Sequence, residues 1–298
     1  MKCIDKSHYP YSLDPHLWSH FSNYEEFEHI PTNTNFNFIY SIVRPSIFDY
    51  YDNIVINWYD EPNCLVVDGL HETIVNNDSK IHKILTPCKY SVECYNKMYA
   101  TDKWTQVFYP FNMAYLPKEN RKEYDVYYTG NIRSPVNFAY PIIEKYNHCF
   151  VCSNYGNHRG VSYSEKIELN SKSKISITHG IMEWPKKFNY IGEKYPLHKG
   201  FDLLKSHAVV PQFKTRNLEA AAAKSLILCM KDPWNEIEEY FTPDIDFLYW
   251  TNAEDLDEKI KYILAHYDEF LPMIDRAHNK LINNFTTKHY FDKFLKQL

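Results

Sequence analysis

The chain has 298 residues, a length typical of about two domains of ~150 residues each. Its formal net charge of −5 argues against a general polyanion binder, which carries a clustered basic excess. Only 7 residues are glycine, roughly a third of the usual 7%, and no two of them form G-x-G. Kinases, P-loop NTPases and common NAD or FAD enzymes are therefore disfavoured, because their glycine-rich phosphate and dinucleotide turns are absent.

The first 120 residues contain short apolar runs, rich in β-branched and aromatic residues, that predict strands. These runs are FNFIYSIV (36–43), NIVINWY (53–59), NCLVVDG (63–69), KIHKILT (80–86) and TQVFYPF (105–111). A helix is predicted to follow Thr86-Pro87, and residues 116–120 form a polar linker. We therefore place a domain boundary at residue 120.

The second half alternates predicted strands with predicted helices, which indicates a parallel sheet covered on both faces. The strands are KEYDVYYTGN (122–131), HCFVCS (148–153), KISITHG (174–180), KSHAVVP (205–211), SLILCM (225–230) and DFLYW (246–250). The helices are VNFAYPIIEKY (136–146), SYSEKIELNSKS (162–173), RNLEAAAAKS (216–225) and WNEIEEYF (234–241). Apolar residues at helical spacing predict two further helices over 253–266 and 268–285, followed by an aromatic tail.

Cysteine usage and hydropathy indicate a soluble protein of a reducing compartment, without a structural metal. Seven cysteines is an odd number, and Cys149 and Cys152 form a C-x-x-C with no second pair at zinc-site spacing. No run approaches the ~18 apolar residues of a membrane span. The N-terminal segment also lacks the apolar region of a signal peptide.

The segment PQFKTRNLEAAAAKSLILCM (211–230) contains the most informative local pattern. Thr215 is placed to cap the following helix, whose first-turn N–H groups and dipole favour an anion. Lys214 and Arg216 add two cations, and Glu219 lies one turn further, where it could accept hydrogen bonds from a ribose diol. A diphosphate sugar nucleotide fits this pattern. The alternative is a surface helix with an ordinary Arg–Glu pair.

The run R-x-x-E-A, followed by a short apolar strand and YFTPDIDFLYW, resembles the C-terminal half of GT-B glycosyltransferases. KEYDVYYTGNIRSP resembles the first strand and loop of that half, and KIHKILTPCKYS with VFYPFN resembles the end of the N-terminal GT-B domain. The resemblance covers residues 80–298 and is closest to exostosin-like and related nucleotide-sugar groups. A narrower resemblance is to chlorovirus-type xylosyltransferases that make capsid glycans.

The GT-B resemblance implies an α/β fold of two Rossmann-like domains, whose parallel sheets face a central cleft. Residues 1–120 would bind the acceptor and 121–285 the nucleotide sugar, with 286–298 forming a helix that crosses back to the first domain. The resemblance also implies that the protein transfers a sugar from a UDP-sugar to an oligosaccharide or to the glycan of a glycoprotein. The sugar is guessed to be xylose. The expected location is the cytoplasm, that of the host if the protein is viral. No nucleic-acid partner, membrane span, cofactor or metal is expected.

The resemblance and the strand ends together give the candidate donor-binding residues. The helix segment contributes Arg216, Glu219, Lys214, Thr215 and Asn217. Gly130, Asn131 and Arg133 follow one strand and could border the diphosphate, although a plain turn is the alternative. Thr178 and His179 follow another strand, where GT-B proteins usually hold the nucleotide ring, although a lone histidine at such a place is more often an ordinary loop residue.

The chain departs from the E-x7-E pattern of retaining GT-B enzymes. The positions that would pair with Glu219 are Pro211 and Ile227, and neither is acidic. An inverting mechanism is therefore favoured, in which a base deprotonates the acceptor hydroxyl. GT-B enzymes usually take this base from the N-terminal domain, and strand NCLVVDG ends near three candidates. These are Asp68, ranked first, with His71 and Glu72; Asp60 and Glu61 are the reserve, and an ordinary Asp-Gly turn remains the alternative.

Two other function classes remain open. A metal-dependent GT-A glycosyltransferase needs a D-x-D motif, and two such strings occur, at Asp244–Asp246 and Asp255–Asp257. The first lies in a turn and the second in the first turn of a helix, where acidic residues favour the dipole. A non-catalytic carbohydrate-binding protein would also use many aromatic residues, but the βα alternation disfavours it.

Overall fold

The computed structural model describes residues 2–3, 32–40, 45–57, 70–118, 121–130, 137–151, 161–183, 198–199 and 208–298. The chain forms two compact units. The first contains the described residues up to Asn112 together with Phe285–Leu298, and the second contains the described residues from Met113 to Asn284. The sequence predicts the domain boundaries at residues 120 and 285. The predicted strand NCLVVDG lies outside the described residues.

The first unit is built on a parallel sheet whose five strands follow one another in chain order. The strands are β1 (Lys2–Cys3), β2 (Asn37–Tyr40), β3 (Ile54–Asn57), β4 (Ile81–Thr86) and β5 (Trp104–Gln106). Every residue of β3 is buried, as expected of a strand covered on both faces. Helix α1 (Leu70–Asn76) precedes β4, and α2 (Lys89–Tyr99) follows it after Thr86-Pro87, as predicted. Of the predicted strand TQVFYPF, only Thr105 and Gln106 pair in the sheet.

The second unit contains a five-stranded parallel sheet and a smaller antiparallel sheet. The parallel sheet consists of β6 (Tyr124–Thr129), β7 (His148–Val151), β8 (Ser173–Thr178), β12 (Leu226–Met230) and β13 (Leu248–Trp250). Its order is β13-β12-β8-β6-β7, so the chain runs outward from β6 first to one side and then to the other. The antiparallel sheet pairs β9 (Ile181–Glu183) with β11 (Ala208–Pro211), and β11 with β10 (His198–Lys199).

Helices follow most of these strands. They are α3 (Tyr140–Ile143), α4 (Tyr163–Ser171), α5 (Arg216–Ala222), α6 (Ala253–Ala265) and α7 (Leu271–Asn284). The apolar face of α6 is buried as predicted, and helix α7 begins at Leu271, after a 3₁₀ turn, rather than at residue 268. The predicted helix WNEIEEYF is a 3₁₀ turn, Glu236–Glu239, because Asn235 before it adopts a left-handed conformation with φ 50°.

Residues 285–298 belong to the first unit. Helix α8 (Thr287–Tyr290) continues into a π-helical turn, Phe291–Leu295. The Tyr290 hydroxyl donates to Asn57 Oδ1 at the end of β3, and the backbone N–H of Phe111 donates to Phe285 O over 2.7 Å. The Phe108 ring makes edge contacts with Phe285, Tyr290 and Phe294. This aromatic cluster buries the apolar face that the sequence assigns to the tail.

Candidate functional site

The candidate site lies where the order of the second parallel sheet reverses, at the carboxyl ends of β6 and β8. The chain passes from β6 to β7 on one side and from β6 to β8, β12 and β13 on the other. Open α/β sheets bind ligands outside the carboxyl ends of strands at such a switch point. Gly130 follows β6, His179 and Gly180 follow β8, and Asp232 follows β12. These residues and the start of α5 therefore form one edge.

Gly130 and Arg216 are in direct contact at this edge. Gly130 has φ +130°, a conformation that other residues rarely adopt. A Cβ atom placed on Gly130 would lie 2.5 Å from Nη2 and 2.8 Å from Nη1 of Arg216. The guanidinium thus occupies the space that any side chain at position 130 would need. The positive φ favours glycine at this position, and any larger residue would also displace the guanidinium from its present place.

Two aromatic rings also contact the Arg216 guanidinium. Nη1 lies 3.2 Å from Nε2 of His179, and Cζ lies 5.6 Å from the centroid of the Tyr128 ring, within cation–π range. His179 is only 3% exposed, and its Nδ1 lies 3.0 Å from the carbonyl oxygen of Ile181. Burial, and then the charges of Arg216 and Lys214, hold the pKa of His179 well below its usual range. The ring is therefore neutral.

The prediction that the Thr215 side chain caps helix α5 is wrong. Thr215 stands at the N-cap position, but its backbone is already helical (φ −54°, ψ −26°) and its side chain makes no capping hydrogen bond. A capping side chain normally needs an extended N-cap residue. Thr215 therefore does not cap α5, and the cationic side chains beside the start of this helix are Lys214 and Arg216.

Glu219 is buried inside the second unit and has a partner that its spacing from Arg216 does not predict. Its carboxylate is 1% exposed, and its Oε1 lies 2.7 Å from Nζ of Lys166, whose side chain is 12% exposed. Lys166 belongs to α4, so this ion pair joins α4 to α5. The Tyr163 hydroxyl faces the same carboxylate, and burial followed by the charge of Glu219 raises the pKa of Tyr163 well above its usual range.

Asp232 is a second buried carboxylate at the edge. It is 3% exposed, and its Oδ1 accepts hydrogen bonds from the backbone N–H groups of Trp234 and Asn235, both at 2.9 Å. Its Oδ2 is directed at Gly180, where a Cβ atom would lie 2.8 Å away. Burial raises the pKa of Asp232 from 3.8 to about 6, although the two backbone donors oppose this. The fold therefore retains a carboxylate here against a desolvation cost.

Asp232→Asn is expected to stabilise the protein above pH 6 and to leave its stability almost unchanged near pH 4. The folded state binds more protons than the unfolded state between pH 3.8 and about 6, so the Asp232 contribution to stability falls as pH rises through that window. This pKa shift corresponds to about 3 kcal/mol, which is an upper bound on the increase in the free energy of unfolding. Urea unfolding at pH 4.5 and pH 8 measures it, with the exposed Asp268→Asn as control. An equal effect of Asp232→Asn at both pH values would contradict the prediction.

The other candidate donor-binding residues of the second unit are buried or half-buried, or they lie outside the described residues. Thr178 is 1% exposed in the sheet, and Asn217 is fully buried on α5, with neither amide atom hydrogen-bonded within the described structure. Lys214 is half-buried just before α5. Asn131 and Arg133 lie outside the described residues.

The proposed base region is also largely outside the described residues. Asp68, Asp60 and Glu61 are not described, and of His71 and Glu72 only the backbone, in helix α1, is described. The assignment of the base therefore stays a prediction.

The two D-x-D strings are engaged in internal contacts. Asp246 accepts hydrogen bonds from the backbone N–H of Thr242 and from Lys280, and Asp244 adopts φ 60° in the turn. Asp255 pairs with Lys259, and Asp257 pairs with Lys261. Over the part of the chain that the structure describes, no group of three or more His, Cys, Asp or Glu side chains is arranged to hold a metal ion.

Comparison with known proteins identifies the family to which the chain belongs. A sequence model described as "Glycosyl transferase-like" matches residues 118–296, more than half of the chain. The chain belongs to this glycosyl transferase-like family. No curated protein matches it in sequence. Among the described residues, no helix of this family member is long and apolar enough to cross a membrane.

Solved structures similar to this glycosyl transferase-like protein share its fold at low sequence identity. TarM of S. aureus has a TM-score of 0.55 and 10% identity over 91% of this chain and 56% of its own. HepE of Anabaena, in complex with UDP and glucose, has a TM-score of 0.57 and 8% identity over 87% of this chain and 76% of its own. Sucrose-phosphate synthase of Thermosynechococcus elongatus has a TM-score of 0.55 and 8% identity over 90% of this chain and 73% of its own. These similarities confirm the predicted GT-B class of two Rossmann-like domains, although this chain spans little more than half the length of TarM.

Three residues were missed by sequence reasoning, namely Gly180 and Asp232 at the edge and Lys166, the partner of Glu219 on α4. Lys166 lies in a predicted helix with no motif, and Asp232-Pro233 has the sequence of an ordinary turn. A usable signal existed for Asp232, since it lies two residues after the predicted strand SLILCM, much as Asp68 lies at the end of the strand NCLVVDG. Gly180 could have been found by the same rule.

Proposed function

We propose that this protein transfers a sugar from a UDP-sugar donor to a hydroxyl of a glycan acceptor, by an inverting and metal-independent mechanism. One observation carries the proposal: the Arg216 guanidinium is fixed against Gly130 at the switch point of the second parallel sheet. The family assignment supports sugar transfer. Xylose is the proposed sugar on the narrower resemblance described above.

Arg216 is suited to binding the donor diphosphate. The planar N–H groups of its guanidinium can bind phosphate oxygens in pairs. His179 uses one donor, at Nη1. A fixed cation at this place neutralises the charge that develops on the departing diphosphate without having to reorganise first. Lys214, immediately before α5, adds a second positive charge nearby.

The choice of a uridine nucleotide is supported by structural relatives. HepE was solved with UDP and glucose, and the pneumococcal O-GlcNAc transferase GtfA with UDP and GlcNAc. Glu219 remains the proposed ribose contact, now with Lys166 as the residue that holds its carboxylate. Asp232 is the second acceptor at the same edge, and we assign it to ligand hydroxyls because both of its hydrogen bonds to described residues are made by Oδ1.

The inverting mechanism is supported by the residues around Glu219. The two positions that would complete E-x7-E are Pro211 and Ile227, both buried and neither ionisable. In a single displacement, a base removes the acceptor proton while the acceptor oxygen bonds to the anomeric carbon. The bond from that carbon to the diphosphate oxygen breaks, and UDP leaves with the electron pair. Asp68 is the first candidate base, followed by His71 and Glu72.

Calorimetric titration with UDP tests the donor site. Arg216→Gln is expected to raise the Kd for UDP at least ~10-fold, since a hydrogen bond to a charged group contributes about 1.5–3 kcal/mol. The exposed Arg121→Gln is the matched control and should bind as the native protein does. Binding should be equal in EDTA and in manganese. Loss of binding in EDTA would favour the metal-dependent alternative, and failure to bind any nucleotide would favour a carbohydrate-binding protein.

Asp68→Asn is expected to lower kcat by about 10²–10⁴, the usual contribution of a general base, while the Kd for UDP stays unchanged. A donor panel of UDP-xylose, UDP-glucose and UDP-GlcNAc identifies the sugar, and NMR of the product gives the anomeric configuration. Normal turnover by Asp68→Asn would overturn this base. A product with the configuration of the donor would overturn the inverting mechanism.

A further inference from the structure

We propose that His179 is a positioning residue, which acts through Arg216 by accepting a hydrogen bond from its guanidinium at Nε2 while donating from Nδ1 to Ile181. The role of Arg216 as the diphosphate contact rests on the proposed function. The sequence instead suggests that His179 itself borders the nucleotide.

The two neighbours of the His179 ring determine where its proton lies. Nδ1 is 3.0 Å from the carbonyl oxygen of Ile181, and a carbonyl oxygen can only accept. Nδ1 must therefore carry the proton. Nε2 is 3.2 Å from Nη1 of Arg216, and a guanidinium can only donate. Nε2 must therefore be unprotonated.

The surroundings of the ring make the charged form unfavourable. His179 is 3% exposed, and the two charged groups that act on it, Arg216 and Lys214, are both cations. If Nε2 of His179 carried a proton, its N–H would face the N–H donor of Arg216, and no hydrogen bond could form between them. Both ring nitrogens are thus committed to protein partners, which leaves neither of them for a ligand.

The contact limits the positions open to Arg216. Gly130 bounds the guanidinium on one side, and the Tyr128 ring lies 5.6 Å from Cζ. Neither of these accepts a conventional hydrogen bond from it, whereas His179 Nε2 does. Among the described residues, the hydrogen bond to His179 is therefore the one directional contact that fixes the rotation of the guanidinium plane.

The first test needs neither a variant nor a ligand. Nitrogen-15 NMR of the native protein at pH 7 is expected to show His179 with a protonated Nδ1 and an unprotonated Nε2. His179→Gln identifies the signal among the 14 histidines. A proton on Nε2, or a doubly protonated ring, would overturn the proposal whatever the protein binds.

The second test is a double-mutant cycle measured as the Kd for UDP. His179→Leu is expected to weaken binding about 10-fold in the native background and to have no effect in an Arg216→Gln background. His179→Gln should restore part of the affinity, because its amide oxygen can accept from Arg216. An equal loss in both backgrounds would mean that His179 contacts the ligand directly and would overturn the positioning role. If the native protein binds no UDP, the proposed function fails, while the NMR result still decides the tautomer.

Discussion

Gly130→Ala is expected to lower the affinity for UDP by about 10- to 100-fold. The added methyl group would lie 2.5 Å from Nη2 of Arg216, so the guanidinium must leave its place beside His179. Losing one or two charged hydrogen bonds to a phosphate accounts for this factor. Because φ is +130° at this position, alanine also adds about 1–3 kcal/mol of backbone strain. Calorimetry measures the first effect and urea unfolding the second.

The two effects of Gly130→Ala can be separated in an Arg216→Ala background. There the guanidinium is absent, so alanine at position 130 should cost the backbone strain and should not weaken UDP binding any further. Gly180→Ala is a comparison at the same edge, since its methyl group meets Asp232 and not Arg216. A further loss of UDP affinity when Gly130→Ala is added to Arg216→Ala would show that position 130 does not act through this arginine.

Lys166→Met is expected to lower the free energy of unfolding by about 3–5 kcal/mol. It leaves the Glu219 carboxylate, which is 1% exposed, without its ammonium partner at 2.7 Å. Replacing both members by Met should recover most of the loss, because a buried ion pair exchanged for apolar side chains is often nearly neutral. Lys288→Met breaks the pair Lys288–Asp292 on the surface and should cost less than ~1 kcal/mol. Equal losses for the buried and the surface pair would contradict the prediction.

Glu219→Gln distinguishes a ribose contact from a purely structural role for this pair. If Glu219 accepts from the ribose, the native protein should prefer UDP to 2′-deoxy-UDP, and Glu219→Gln should reduce that preference. Titration with both nucleotides at a temperature where the variant is folded gives the two ratios. A preference that is the same in both proteins would make Glu219 a structural residue only.

The sequence predicted the parts of the fold that depend on local pattern. Alternating β and α runs gave the second parallel sheet, and the R-x-x-E-A run gave α5 with Arg216 at its start. The GT-B resemblance and the positions of the strand ends together brought Gly130, His179 and Arg216 into one hypothesis before their contacts were known. These residues lie far apart in the chain, but each follows a strand or begins a helix, so the order of the elements was enough to place them at one edge.

What the sequence did not predict depends on contacts between elements. Lys166 and Glu219 are 53 positions apart, and no spacing rule links a residue of α4 to one of α5. The conformation of Asn235 decided against a helix at WNEIEEYF, although the composition favours one. Thr215 has the residue type of a cap but not the backbone of one. In each case tertiary context overrode local preference.

The location of residues 285–298 has a consequence for the order in which the chain folds during synthesis. Phe108 and Phe111 find their partners in this segment, which the ribosome adds only after residues 113–284. The second unit therefore has all of its residues available before the first one does. The first unit emerges earlier but must wait, with part of its aromatic core uncovered, until residues 285–298 have been translated. Chaperone dependence is thus expected to concentrate in the part of the protein that is made first.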